Sequence, residues 1–313
     1  MQYKNLFGPV RSRRLGLSLG IDMVPFKTCT LDCIYCECGA TTELIHERKE
    51  YVPARDIIEE LNHYLSTHPS PDYVTLGGSG EPTLHSQIDT IINHVKSNYP
   101  SIKVALLTNS TFFHLPEVRR GVLGCDIVLP SLDAVSTQVF EKINKPAVSV
   151  DCEMLIDGLV EFSREFKGQI WLEVFIVPGI NDTEQELKLF KETIQRIKPT
   201  RIQLNSLDRP GTCSWLTAAS PEELATIAEF MKPLPVEIVS RNFAEPLPGG
   251  SQLQEQNDAL MSLLKRRPST LEDISVSLGI TLNAASILVE NSKKRDLVST
   301  KEVNNRIYYT VEN

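Results

Sequence analysis

An α/β fold on a mainly parallel sheet, with a small helical unit appended, is what this 313-residue sequence predicts. Three observations carry that expectation. From about residue 15 to 242, strand-like and helix-like segments alternate. The strand-like segments run continuously through Val, Ile and Leu, as strands buried on both faces do. Polar and glycine-rich stretches follow five of them in succession, where ligand-binding loops lie in such folds.

The strand candidates are Leu15–Ile21, Tyr73–Leu76, Lys103–Leu107, Asp126–Leu129, Ile170–Val177 and Arg201–Asn205. Helical spacing fills the gaps. Pro53 stands where a first helix starts, and Ile57, Ile58, Leu61 and Leu65 recur after it. Ile88, Ile91, Ile92 and Val95 repeat the pattern, as do Leu155, Ile156, Leu159 and Val160. Six strand–helix units in series give an open sheet or a partial barrel with right-handed crossovers. A short strand, Glu237–Ser240, precedes Glu245-Pro-Leu-Pro-Gly-Gly-Ser251, which reads as a linker. Beyond it come helical patterns over Asn257–Lys265, Thr270–Leu278 and Leu282–Asn291, with Gly279 ending the second and Thr281 capping the third. Strand-like pieces Leu297–Thr300 and Arg306–Val311 flank the turn signal Asn304-Asn305, and the set matches a winged helix. The expected division is 1–244, linker 245–252 and winged helix 253–313.

Net charge is −8, which argues against a broad nucleic-acid footprint. The main basic cluster, Arg11, Arg13 and Arg14, reads either as a solvated loop or as an anion or substrate contact. No apolar run approaches the ~20 residues that span a bilayer, and the start lacks a signal-peptide core, so a cytoplasmic protein without a membrane partner is expected.

Seven cysteines in such a chain point to metal or redox chemistry before disulfides. Cys29, Cys33 and Cys36 stand in a C-x3-C-x2-C spacing, with Cys38 close behind. Three thiolates on one loop can hold three irons of a [4Fe–4S] cube and leave the fourth iron open to a ligand. Zinc would want four ligands in two separated pairs, and no second C-x2-C or His pair follows. Cys38 as a fourth ligand would close the cluster but crowds Cys36. Cys125 and Cys152 read as small core residues. Cys213, after the sixth strand, reads as a packing residue or as a hydrogen-donating or covalent catalyst.

The cysteine loop resembles that of the radical SAM superfamily, with Tyr35 as the aromatic residue before the third cysteine and Gly77-Gly-Ser-Gly-Glu-Pro82 as the glycine-rich turn after the second strand. The resemblance implies a partial (βα)6 radical SAM barrel. It implies [4Fe–4S] ligation by Cys29, Cys33 and Cys36, with the Tyr35 backbone near the adenine of S-adenosylmethionine (SAM). The turn at Gly78, Ser79, Gly80 and Glu81 would meet the methionine amino group. Asn109, Ser131 and Asp133 would contact the ribose and carboxylate, although each type is also favoured in loops for local capping. Asn181 and Asn205 are further candidates at strand ends.

Gly8-Pro-Val-Arg-Ser-Arg-Arg-Leu-Gly16, Ser-Gly-Glu-Pro-Thr-Leu at 79–84 and Leu204-Asn-Ser-Leu-Asp-Arg-Pro-Gly211 resemble a branch of Fe–S oxidoreductases akin to the wyosine-base synthases. Those synthases bring a second cluster from upstream cysteines, and no cysteine precedes Cys29, so the likeness reaches the branch and not that reaction. The resemblance implies reductive cleavage of SAM to a 5′-deoxyadenosyl radical that takes hydrogen from substrate. Flavodoxin or ferredoxin would supply electrons, and the winged helix would present RNA or a protein or peptide. The alternative is a SAM- or redox-responsive regulator binding DNA through its winged helix.

Overall fold

The computed structural model describes residues 3–12, 14–239, 253–303 and 306–311. The chain opens with β1 (Leu6–Ser12), β2 (Gly16–Asp22), and the short pieces β3 (Thr28–Cys29) and β4 (Glu43–Leu44). Then α1 (Ala54–Thr67), β5 (Tyr73–Gly77), α2 (Ile88–Asn98), β6 (Lys103–Thr108), α3 (Pro116–Val122) and β7 (Ile127–Pro130) follow. Next come α4 (Thr137–Asn144), α5 (Cys152–Glu165), β8 (Gln169–Phe175), α6 (Glu184–Ile197), β9 (Arg201–Asn205), α7 (Pro221–Phe230) and β10 (Val236–Ile238). The C-terminal part is α8 (Leu253–Arg266), α9 (Leu271–Leu278), α10 (Leu282–Lys293), β11 (Ser299–Val303) and β12 (Arg306–Thr310).

The six expected strands are β2, β5, β6, β7, β8 and β9, with no end displaced by more than two residues. The sheet has eight strands in the order β1-β2-β5-β6-β7-β8-β9-β10, parallel throughout except β1, which runs antiparallel to β2. The sequence reading needs correcting at β1. Arg11 lies in a strand and not in a loop; Arg13 falls outside the described residues. Gly8-Pro9 and a register shift between Phe7 and Val10 break the alternation that would betray this strand, and proline is tolerated there because the strand is an edge. The first strand of the C-terminal hairpin, β11, also starts later than expected. Val298 is buried as a loop residue and pairing begins at Ser299, continuing through exposed Lys301 and Glu302. The linker 245–252 and the turn Asn304-Asn305 lie outside the described residues.

The central strands are buried on both faces. Val74, Leu76, Val104, Leu106 and Val128 join α1, α2 and α5 in the main core, whereas Ala105, Ile127, Leu129 and Trp171 pack on the opposite face with Leu15. That double burial is why these segments read as unbroken apolar runs. Helix starts follow their caps: Asp151 accepts from the Met154 N–H and Thr183 from the Glu186 N–H, while Ser220–Glu223 and Thr270–Asp273 form reciprocal capping boxes. Each such cap contributes about 1 kcal/mol.

The three C-terminal helices and their hairpin enclose a separate core of Leu260, Leu263, Leu264, Ile274, Ala285, Leu288, Val289 and Tyr309. Among the described residues, no single helix is long and apolar enough to cross a membrane.

Candidate functional site

The cysteine loop is pinned from both sides. Asp32 N–H and Ile34 N–H donate to the carbonyls of Asn144 and Ile143 at the end of α4, and the Thr212 hydroxyl and Cys213 N–H, after β9, donate to the Ile34 carbonyl at 2.7 and 3.2 Å. Each sulfur of the C-x3-C-x2-C set meets a nitrogen donor from a different segment. Asn109 Nδ2 donates to Cys29 Sγ at 3.5 Å, Asn144 Nδ2 to Cys33 Sγ at 3.4 Å and Lys27 Nζ to Cys36 Sγ at 3.0 Å. Lys27 is only 3% exposed, so its ammonium is an internal charge.

The thiols differ in their acidity. Burial, with the Glu81 charge, pushes Cys29 up to about 12. Burial and the nearby Asp133 raise Cys33. A hydrogen bond from the Cys38 thiol lowers Cys36 to about 6, with help from the Lys27 charge and against the effect of burial. Cys38, as the donor to that sulfur, is raised.

The glycine-rich turn lies against this loop. Glu81 N–H donates to the Thr28 carbonyl at 3.1 Å, and Lys27 N–H to the Ser79 carbonyl at 2.8 Å. A Cβ on Gly80 would stand 2.3 Å from the Thr28 oxygen and 2.6 Å from Val24. Only glycine permits that approach. Gly80→Ala is therefore expected to cost about 1–3 kcal/mol of unfolding free energy, seen as a lower urea midpoint, and to reduce the iron retained after anaerobic reconstitution. An unchanged midpoint and iron content would show that turn and loop separate freely.

Glu81 itself is turned inward. Its carboxylate is 2% exposed and accepts from the Thr83 N–H and hydroxyl, the Thr108 hydroxyl and the Asn109 N–H, at 2.5–3.0 Å. It braces the ends of β5 and β6, which leaves the backbone of the turn, and not this side chain, to meet a ligand. Asn109 is braced too, since Nδ2 also donates to Thr30 Oγ1 at 2.8 Å and Oδ1 accepts from the Thr111 N–H and hydroxyl. Asp133 is buried and accepts from the Tyr35 hydroxyl, Asn144 Nδ2 at 3.0 Å and the Phe175 N–H at 3.0 Å. The Tyr35 ring stacks on Phe175 with centroids 3.9 Å apart. Asn181 is fully buried and holds the carbonyls of Asp133 and Phe175, so its role is architectural.

Tyr35, Cys36, Ser131, Asp133 and Asn205 line a cavity of about 740 Å³ at the carboxyl ends of β7, β8 and β9. Sequence reasoning missed Glu173, on the same wall. It pairs with Arg14 and accepts from Asn205 Nδ2 at 3.2 Å. Of the three basic candidates, Arg14 is thus committed to an ion pair at the cavity. Cys213 does not line this cavity; it packs among Ile34, Ile143, Val177, Ile180 and Leu216, where an apolar thiol is a filler. Cys125 and Cys152 are buried core residues, as expected.

The C-terminal elements reach the site at three points. Arg209, after β9, has a side chain only 4% exposed and bonds Glu37 of the cysteine loop at 3.1 Å, Asp208 at 3.5 Å and Asp273 of α9 at 2.8 Å. Arg266, ending α8, pairs with Asp22 and lies over the Phe7 ring at 4.0 Å. Asp22 in turn accepts from the Ser79 N–H of the glycine-rich turn at 3.2 Å. Tyr308 of β12 donates its hydroxyl to the Asp208 carbonyl at 3.0 Å. None of these pairings carries a sequence signal, because their members are ordinary surface types brought together only by the fold.

A family model for the Radical SAM superfamily matches residues 23–190. The chain belongs to the radical SAM superfamily. A UPF0026 protein of Helicobacter pylori (strain J99) is 32% identical to it over 275 residues, 87% of each chain. A Brachyspira hyodysenteriae protein named GTPase Obg is 33% identical over 312 residues, 99% of this chain and 46% of its own, so the chain spans about half the length of that relative. No Gly-Lys pair, and so no P-loop G-x-x-x-x-G-K-[ST], occurs in this radical SAM chain. Among solved structures, a radical SAM methyltransferase from Sphaerobacter thermophilus superposes with a TM-score of 0.55 at 13% identity, covering 72% of this chain and 67% of the other. Histidine-tagged anSMEcpe with bound AdoMet gives 0.50 at 13% identity, with 78% and 64% covered. At that identity both bear on the fold alone.

Superfamily membership brings with it a [4Fe–4S] cluster and SAM, and the donor set fits them. Three thiols on one loop, each facing an N–H donor, with a buried ammonium beside them, suit an anionic cluster whose sulfurs need hydrogen bonds. Among the described residues, no three Cys, His, Asp or Glu side chains converge on a single-ion site, as zinc would ask. A cube distributes its thiolates over separate irons.

Proposed function

We propose that this chain is a radical SAM enzyme in which Cys29, Cys33 and Cys36 hold three irons of the [4Fe–4S] cluster. The observation that carries the assignment is the set of three nitrogen donors, from Lys27, Asn109 and Asn144, each given to a different one of these sulfurs. Cys38 is left as a hydrogen-bonded neighbour of Cys36. When bound, the cluster would supply the electron for reductive cleavage of SAM, the chemistry by which this superfamily takes hydrogen atoms from substrates.

The protein's own residues orient and enclose. The backbone of Gly78, Ser79 and Gly80 offers its carbonyls to the methionine ammonium beside the cysteine loop. Tyr35, Ser131, Asp133 and Asn205 shape the cavity beside it, and Asn109 fixes the Cys29 sulfur. Flavodoxin or ferredoxin is the electron donor this chemistry calls for.

The parallel sheet is read as a partial (βα)6 barrel over residues 1–244, and residues 253–313 as a winged helix after a linker at 245–252. Because that unit roofs the cavity, with Val303, Arg306 and Tyr308 in its lining, the reading is substrate presentation, of RNA or of a protein or peptide, in the branch akin to the wyosine-base synthases. A DNA-binding regulator would have no use for a turn that cradles SAM.

Anaerobic reconstitution followed by dithionite and SAM tests this. A cluster-replete sample is expected to release 5′-deoxyadenosine; a sample with full iron content and none of that product overturns the enzymatic reading.

A further inference from the structure

We propose that Arg267, with Arg306, binds a phosphate group of the substrate in the cavity beneath the C-terminal unit. The inference rests on the radical SAM reading of that cavity and goes on to its substrate class.

The 740 Å³ cavity has four arginines, Arg14, Arg209, Arg267 and Arg306, and four acids, Glu37, Asp133, Glu173 and Asp208, in its lining. By count they balance; by bonding they do not. Glu37 is bound to Arg209, Glu173 to Arg14 and Asn205, and Asp133 to Tyr35, Asn144 and the Phe175 backbone. Asp208 lies 3.5 Å from Arg209, which also holds Asp273. Arg14 and Arg209 are thereby used. Among the described residues, neither Arg267 nor Arg306 has a side-chain hydrogen bond or an ion pair. The uncommitted charge of the cavity is cationic.

Arg267 is half-buried, one residue beyond α8, and it lines both this cavity and a second one of about 280 Å³ under α8 and α9, so it stands where the two meet. Enclosing a guanidinium without a carboxylate costs free energy that a bound anion recovers. Burial disfavours the charge of Arg267 and Arg209 adds like-charge repulsion, while Glu37 and Asp273 act the other way. A guanidinium presents a planar fork suited to phosphate and carboxylate alike. Two uncommitted guanidinia on one cavity favour the phosphate, which can carry close to two negative charges where a carboxylate carries one. The volume lies in the upper part of the range of ligand pockets, about 300–1,000 Å³, which leaves room for a substrate group beside SAM.

The test is equilibrium binding to cluster-loaded protein under anaerobic conditions with SAM present, using inorganic phosphate as one probe and acetate as the other. Phosphate is expected to bind saturably, Arg267→Gln to weaken it roughly tenfold or more, and Arg267→Lys to restore part of the loss. SAM affinity, measured separately, is expected to stay within about twofold. Should Arg267→Gln fold poorly by far-UV circular dichroism, Arg306→Gln, whose side chain is exposed, takes its place with a smaller expected loss. Three results overturn the proposal: phosphate binding that neither variant weakens, acetate bound as well as phosphate, or a parallel loss of SAM affinity that would assign Arg267 to the cofactor. Absence of 5′-deoxyadenosine with Arg267-dependent phosphate binding intact would defeat the radical reading alone; the converse would defeat this one alone.

Discussion

Replacing any one of Cys29, Cys33 or Cys36 with alanine is expected to take reconstituted iron from about four atoms per chain to near none, and 5′-deoxyadenosine formation to background. The size of the effect follows from the ligand count. A cube that these three thiolates would hold on one short loop would have no protein ligand to spare. The loop offers one nearby substitute, Cys38, and its thiol already donates to Cys36. Cys38→Ala should therefore retain iron, and so should Cys213→Ala, whose sulfur sits among Ile34, Val177 and Leu216. Iron analysis and the absorbance of the reconstituted variants check the pattern. Full iron in Cys36→Ala together with loss in Cys38→Ala would move the third ligand by two positions. Lys27 would then be hydrogen-bonding a sulfur that holds no iron, while Asn109 and Asn144 would still face ligands.

The parallel strands and the cysteine loop were legible in sequence for one reason: each is local. Val, Ile and Leu runs mark strands buried on both faces, and a C-x3-C-x2-C spacing fits within eight residues. Glu81 and Asp133 were legible as positions but not as roles. Both point inward, bracing strand ends that position the site, because a buried carboxylate must collect donors wherever the fold supplies them. The donors to the cysteine sulfurs were not legible at all. Asn144 stands 111 residues from Cys33 and Asn109 80 residues from Cys29, and an asparagine at a loop or helix end has commoner explanations. Lys27 was the one within reach, two residues before Cys29. A lysine that near a metal-binding loop is ordinary when exposed, and burial is what gives it meaning. β1 escaped because Gly8, Pro9 and Arg11 suit an edge strand and no other kind.

Arg209→Gln is expected to destabilise the protein by about 3–5 kcal/mol, the cost of stripping a buried charge from its partners. Its side chain is 4% exposed and faces Glu37, Asp208 and Asp273, so the discount for solvent screening that applies to surface pairs does not arise. The neutral amide deprives Glu37 and Asp273 of their cation. Asp273 suffers less than Glu37, because its other oxygen accepts from the Thr270 N–H within the α9 capping box. Glu37 has no comparable second tie among the described residues, and it lies one residue from Cys36. The loss should therefore appear twice, as a lower urea midpoint and as weaker iron retention, even though Arg209 touches no cysteine. Asp273→Asn removes only the contact to α9 and is expected to cost less, while the double variant should lose less than the sum of the two. Additive losses would mean that the bond between Arg209 and Asp273 carries no coupling. The C-terminal elements would then lean on the rest through Arg266 with Asp22 and Tyr308 with the Asp208 carbonyl, and the cysteine loop would owe its position to α4 and the loop after β9 alone.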